Sequence, residues 1–466
     1  MTTMDEPVTG AASASASDSA SAPEDRRDKV CVIGAGSAGI AMCRSLKIRD
    51  IAFDAYERRS ELGGLWRYPA QGGKSCAYPA LFANTSKTVM QFPSFPMPDD
   101  YPDYPHHTQV AGYFDSYVDH FGLREHIQLD TEVSRVEQAA GGGWAVTFGD
   151  GTTHLYRAVM VASGGRHGLP LFGSYEGKFT GTETHSYDYE GPADLAGKKV
   201  VIIGLGATSA DIATEVSRVA EATYLSVRTG HYIVPKILEG GPIDKLSPMM
   251  KKLSVEQRRP LVTLMIKLVH GHMSAYGLPD PPYKVGQGPL VASSELLPAI
   301  AHGRITAKPV IDTVDGRTVR FSDGTETEAD VIIHCTGYKI DYPFLDDTLV
   351  GDGDDAPALY HQVVPPETEG LYFIGLLHSM MSLMPLAEFQ SEWVGDLLTE
   401  TVSLPSRAQM WSELRNARRR QDKRFHDSSG HLLVDPNEYE RLMADERRKY
   451  ATTDRTGVGT ATRRKG

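Results

Sequence analysis

Two stretches of the chain repeat one pattern of apolar and polar positions. Lys29-Val-Cys-Val-Ile33 is a short, mostly β-branched run. It ends in Gly34-Ala-Gly36-Ser37-Ala38-Gly39, and Ile40, Met42, Cys43 and Leu46 follow at helical spacing. The pattern predicts a strand, a glycine turn and a helix. A second strand, Ile51-Ala-Phe-Asp-Ala-Tyr56, leads to Glu57. The same succession returns later. Lys198-Lys-Val-Val-Ile-Ile203 reads as a strand and Gly204-Leu-Gly206-Ala-Thr208-Ser209 as the turn. Ala210-Asp211-Ile-Ala-Thr-Glu-Val216 opens a helix, and Ala222-Thr-Tyr-Leu-Ser-Val227 is a strand ending at Arg228.

Strand, glycine turn, helix, strand and a charged residue in register are the context of a dinucleotide-binding unit. The glycines let the backbone approach a pyrophosphate, and the helix start offers free N–H groups and a positive dipole end. The expected fold is therefore α/β, with two dinucleotide-binding, Rossmann-like domains. The second turn is the looser match, because Ser209 replaces the third glycine. Glu57 lies 21 residues after Gly36, and Arg228 lies 22 after Gly206. An acid there suits a bare ribose diol, and a cation suits a ribose 2′-phosphate. The contrast assigns FAD to the first unit and NADPH to the second. An ordinary surface arginine at 228 would leave NADH equally acceptable.

Composition narrows the class. The 466 residues allow two or three domains. A net charge of −12 speaks against nucleic acid as a partner. The cysteines, at 31, 43, 76 and 335, include no C-x-x-C pair. That removes a thioredoxin-like redox pair, a zinc ribbon and a disulfide reductase, and suits a reducing cytoplasm. No metal is expected. Residues 1–27 are rich in Ala, Ser and Asp and read as a disordered tail, without the basic start and apolar run of a signal peptide. Residues 451–466 read as a flexible tail. Leu261-Val-Thr-Leu-Met-Ile-Lys267-Leu-Val269 is too short for a membrane span, so no membrane is expected.

Longer strings stand around the two units. They are Glu61-Leu-Gly-Gly64-Leu65-Trp66, Tyr78-Pro-Ala-Leu-Phe-Ala-Asn84-Thr85-Ser-Lys87 and Phe92-Pro-Ser-Phe-Pro-Met-Pro98. Phe179-Thr-Gly181-Thr-Glu-Thr-His185-Ser-Tyr-Asp-Tyr189 fits F-x-G-x-x-x-H-x-x-x-Y without a gap. Cys335-Thr-Gly-Tyr338, Tyr372-Phe-Ile-Gly-Leu376 and Glu388-Phe-Gln390-Ser-Glu-Trp393 complete the set. From Val30 to beyond Trp393 the chain resembles the flavin-containing monooxygenases. It departs from them in Ala207-Thr208, where members often have Asn-Ser. Tyr189 stands where the related Baeyer–Villiger enzymes usually carry Trp, which favours the branch that oxygenates heteroatoms.

The resemblance implies that NADPH reduces FAD and that the flavin captures dioxygen as a C4a-hydroperoxide. A soft nitrogen or sulfur nucleophile then takes one oxygen atom. Asn84 matches the residue that would donate to the peroxide and accept from nicotinamide; on local sequence alone it reads as a loop asparagine in an Asx turn. Leu65 and Trp66 would lie along FAD, Trp66 being equally readable as a core residue. Gly64, Thr85, Val133 and Gln390 would also meet the flavin nucleotide, Gln390 having a buried core glutamine as its alternative. Thr208, Ser209, Ala210 and Asp211 would meet NADP. His185 would be a hinge between domains, or a satisfied structural histidine.

The NADPH domain is expected at 179–317, inserted in an FAD domain of 28–178 and 318–450. Its Pro- and Gly-rich part, 231–300, suggests a lid near the substrate entrance or a peripheral helical insertion. The expected partners are a small-molecule substrate and dioxygen, with a homodimer as a candidate assembly. Rival readings are Baeyer–Villiger oxidation of a ketone, an uncoupled flavin reductase or NADPH oxidase, and a non-catalytic nucleotide sensor.

Overall fold

The computed structural model describes residues 22–69, 75–164, 169–245, 253–350, 357–425 and 432–452. A seven-stranded sheet forms the first unit. Its order is Ile127–Gln128, Phe53–Tyr56, Glu24–Ile33, Thr153–Val161, Trp144–Phe148 and Val133–Gln138, with Leu371–Phe373 pairing the end of Thr153–Val161. The central pairs are parallel, and Trp144–Phe148 runs antiparallel to both its neighbours. Val30, Cys31 and Val32 are fully buried, as a central strand covered on both faces requires.

Helix Ser37–Lys47 covers one face and is itself covered by helix Met384–Leu398. The two helices pack closely because Gly395 has no side chain. A Cβ there would lie 2.5 Å from Ser45 Oγ. Arg44 and Arg49 reach across to Glu392 at 2.6 Å each, and Arg49 also to Asp396 at 2.7 Å.

The second unit is a five-stranded parallel sheet in the order Thr306–Lys308, Ala222–Ser226, Lys199–Ile203, Val331–His334 and Thr182–His185. A four-stranded sheet, Glu326–Glu328, Thr318–Phe321, Ile311–Gly316 and Glu176–Phe179, lies beside it through a shared apolar cluster of Val201, Val314, Val319, Phe321 and Ile332.

Three expected boundaries differ. Strand Glu24–Ile33 begins inside the stretch assigned to the tail, because Glu24, Asp25 and Arg26 continue the parallel pairing with residues 154–156. Residues 1–21 and 453–466 of the two expected tails lie outside the described residues. Ala451 and Thr452, also assigned to a tail, are held by Val402 and Thr401. Strands Thr318–Phe321 and Val331–His334 belong to the second unit, not the first; the chain rejoins the first sheet at Phe344 and Leu345, beside Val136, and again at Leu371. A β-branched run carries no label for the sheet it joins, so periodicity could not separate the two. The amphipathic piece in 231–300 is helix Val255–His270, capped by Ser254. Residues 246–252 of that region lie outside the description.

Candidate active site

The two glycine turns are built alike. Gly34 N–H donates to Tyr56 O at 2.8 Å, and Gly204 N–H to Ser226 O at 2.9 Å. Both glycines have positive φ, +102° and +121°, which side chains avoid. A Cβ on Gly34 would lie 2.7 Å from Ala162 O, and one on Gly204 2.6 Å from Cys335 O. The first intrahelical hydrogen bonds are Ile40 to Gly36 and Ala210 to Gly206, each 3.0 Å. The N–H groups of Ser37, Ala38 and Gly39, and of Ala207, Thr208 and Ser209, therefore have no carbonyl within their helices.

Beyond this frame the turns differ. Glu57 is 7% exposed, and its Oε2 accepts from Ala35 N–H at 2.8 Å while Oε1 accepts from Arg59 N–H at 3.0 Å. A carboxylate thus braces the first turn from behind. The turn is roofed by the short helical turn Gly64–Trp66, held by Gly63 N–H donating to Ala35 O at 3.0 Å. A Cβ on Gly64 would lie 3.0 Å from Gly36 Cα, so the two backbones nearly touch. Val133 opens its strand beside Tyr56 in the apolar cluster of the sheet's other face. At the second turn Gly206 has open space where a Cβ would be. Ser209 Oγ accepts from Gly206 N–H at 2.7 Å and donates to Gly206 O at 2.9 Å. Arg228 is exposed just past its strand.

The loop that holds Asn84 and Thr85 is bound by groups of the second unit on both sides. Ala83 N–H donates to Pro105 O at 2.9 Å, and Ser86 begins the short helix Lys87–Met90. Asn84 is half-buried, and its Oδ1 is shut from solvent with no hydrogen-bond partner. Tyr78, on the same segment, donates its hydroxyl to Asp211 Oδ2 at 2.6 Å across the units. Burial raises the Asp211 carboxyl above its usual range, against the pull of Lys236 and Tyr78. Trp66 packs against the apolar clusters of both units.

A family model for flavin-binding monooxygenase-like proteins matches residues 27–446. The chain belongs to this family. Dimethylaniline monooxygenase [N-oxide-forming] 2 of Oryctolagus cuniculus is 32% identical over 411 residues, covering 83% of this chain and 76% of the relative. The structure of S-allyl-L-cysteine S-oxygenase from Allium sativum superposes with a TM-score of 0.68 at 24% identity, covering 91% of this chain and 90% of the other. Open cyclohexanone monooxygenase superposes with a TM-score of 0.67 at 18% identity, covering 90% and 98%. The last two likenesses establish the shared two-unit fold.

This flavin-binding monooxygenase-like protein is an FAD-dependent NADPH monooxygenase. Its residues fit both nucleotides. The first turn offers unpaired N–H groups and a buried acid beneath a close backbone roof. The second offers unpaired N–H groups, open space at Gly206 and an exposed cation. The orphaned Asn84 oxygen lies on the segment whose Tyr78 reaches Asp211 of the second helix start.

Two residues singled out in the sequence lie deep in the core. Gln390 is fully buried: Oε1 accepts from Gly375 N–H at 2.8 Å, and Nε2 donates to Tyr439 OH at 2.8 Å. Both ends have a protein partner, which supports its alternative reading as a core glutamine. It still shapes the site, because Gly375 presses against Ala38. His185 is also fully buried, and its Nδ1 accepts from Tyr187 N–H at 3.1 Å. Burial lowers its pKa, which suits a neutral structural imidazole. Lys236 and Asp244, whose contacts reach the Asn84 loop, carried no local sequence signal. Among the described residues no helix is long and apolar enough to cross a membrane.

Proposed function

We propose that the protein uses NADPH and dioxygen to insert one oxygen atom into a soft nitrogen or sulfur nucleophile. FAD would occupy the first turn, NADPH the second and Asn84 the point between them. The observation that carries this reading is the Asn84 oxygen, buried without a partner on a loop that both units hold. A buried polar atom left unpaired is costly, so a donor on a bound group is its natural partner. An amide can accept there and donate from its nitrogen without adding charge.

Bound FAD supplies the redox and oxygen chemistry. The chain's own residues orient and enclose it. Glu57 braces the turn, the 63–66 loop covers it, Trp66 closes the seam between the units and Asn84 offers its amide. The heteroatom reading is supported by the N-oxide-forming relative and the S-oxygenase that shares the fold. It is also supported by the tyrosine at 189, where the related Baeyer–Villiger enzymes usually carry Trp.

The test is NADPH consumption with methyl phenyl sulfide, N,N-dimethylaniline and cyclohexanone, followed by product analysis. We expect sulfoxide and N-oxide; lactone as the sole product would overturn the proposal. Asn84→Ala should keep FAD yet raise the hydrogen peroxide released per product at least about tenfold, as loss of a preorganised active-site donor does. Unchanged coupling would remove Asn84 from this role.

A further inference from the structure

The second unit grips the Asn84 loop on both sides. Lys236 Nζ donates to Ala83 O at 3.3 Å, immediately before Asn84. Asp244 Oδ2 accepts from Ser86 N–H at 2.6 Å, two residues after it. Both grips come from one short hairpin, in which Ile237–Leu238 pairs antiparallel with Gly241–Pro242. Its two loop residues, Glu239 and Gly240, have φ of +51° and +80°, the sign pattern of a tight two-residue hairpin turn. Such a turn fixes the spacing between Lys236 and Asp244.

The hairpin is itself anchored at both ends. Lys236 N–H donates to Ser294 Oγ at 2.9 Å, and Tyr104 OH donates to Lys236 O. Lys245 pairs with Asp103 at 2.7 Å. The Lys236 side chain is half-buried and lies in the field of Asp211 and Glu295. Burial lowers its pKa while those two carboxylates work to raise it. Asp211 in turn takes the Tyr78 hydroxyl. The second helix start, the hairpin and the Asn84 loop are thus one connected polar network.

We propose that residues 236–245 form a positioning clamp for Asn84, with Lys236 and Asp244 as positioning residues that tie its amide to the NADPH-binding unit. The proposal rests on the role given to Asn84 above. Neither residue is a catalytic residue. Their effect is to hold residues 83 and 86 so that the amide between them keeps its place when the two units shift relative to each other.

The test uses the full-length FAD-loaded enzyme with methyl phenyl sulfide as probe. It compares Lys236→Met, Asp244→Ala, Asp244→Asn and Asn84→Ala, and Lys236→Met combined with Asn84→Ala. Lys236→Met and Asp244→Ala should each raise the ratio of hydrogen peroxide to sulfoxide about fivefold, the factor expected for loss of one hydrogen bond. Anaerobic flavin reduction by NADPH should stay within about twofold of the parent, which a general structural defect would not spare. Asp244→Asn keeps an acceptor for Ser86 N–H and should restore coupling. The double variant should be no more uncoupled than Asn84→Ala alone, since residues acting through one group are not additive.

Uncoupling by Asn84→Ala with normal coupling in Lys236→Met and Asp244→Ala would overturn the clamp and leave the role of Asn84 standing. Normal coupling in Asn84→Ala would overturn both. Additive uncoupling in the double variant would show that Lys236 acts elsewhere, and would also overturn the clamp. If Lys236→Met does not accumulate as yellow protein, Asp244→Ala and Tyr104→Phe, which frees the Lys236 carbonyl, decide the same question.

Discussion

The first glycine turn is closed and the second is open, although their backbones are nearly the same. At the first, Gly39 sits so close that a Cβ would lie 1.8 Å from Gly34 O, and Gly64 roofs Gly36 from the other side. At the second, a serine occupies the position of Gly39, and no atom lies near the missing Cβ of Gly206. The difference matches the proposed division of FAD and NADPH between the two turns. A turn enclosed by its own chain suits a nucleotide that stays for many cycles. A turn that faces open space suits a nucleotide that must enter and leave. The charges follow the same division, with Glu57 buried against backbone N–H groups and Arg228 exposed.

The sharpest way to break this comparison is at the third position of each turn. Gly39→Ala forces an impossible contact with backbone that cannot move aside, so a loss of about 3 kcal/mol or more is expected, with little yellow protein recovered. Ser209→Gly removes the side-chain bridge to Gly206 and places glycine in the first helical turn, and should cost about 1 kcal/mol. Thermal unfolding of both variants checks this; similar losses would show that the second turn is as tightly closed as the first.

The next effect separates the two nucleotides. Gly36→Val should abolish FAD binding, because its methyl groups enter the gap to Gly64. Gly206→Val should remain yellow and be bleached by dithionite. Its reduction by anaerobic NADPH should slow about a hundredfold, the scale of a misplaced reactant. A Gly206→Val protein that purifies colourless, or one reduced at the parent rate, contradicts the assignment of one nucleotide to each turn.

The smallest effect sharpens the charge contrast. Arg228→Ala removes one charge-assisted contact to a 2′-phosphate, and the Michaelis constant for NADPH should rise about tenfold while that for NADH stays put. Equal changes for both would make Arg228 an ordinary surface residue.

Much of the site was legible along the chain because its chemistry is local. The glycine turns, Glu57 and Arg228 fall at fixed distances within single strand–turn–helix–strand units, and such units fold from short-range pattern. Asn84 was legible only by its place in a longer string. Gln390 shows what that kind of reading leaves out. Its neighbourhood in sequence pointed to the cofactor and carried no sign of Gly375 and Tyr439, the protein partners of its amide. Neither partner lies within one helical turn of Gln390, so no local pattern pointed to them.

The sequence by itself determined that this chain carries two nucleotide-binding units of opposite charge, because a glycine's freedom and a side chain's charge act where they stand. Only the tertiary structure decided which unit owns the strands Thr318–Phe321 and Val331–His334, since a β-branched run can join any sheet whose edge it reaches. Only the tertiary structure brought Tyr78 to Asp211, and Lys236 and Asp244 to either side of Asn84, across gaps of 133, 153 and 158 residues. Those contacts depend on how two separately folded units meet. That meeting is set by the shapes of their packed surfaces, including the Trp66 seam, and no window of sequence records it.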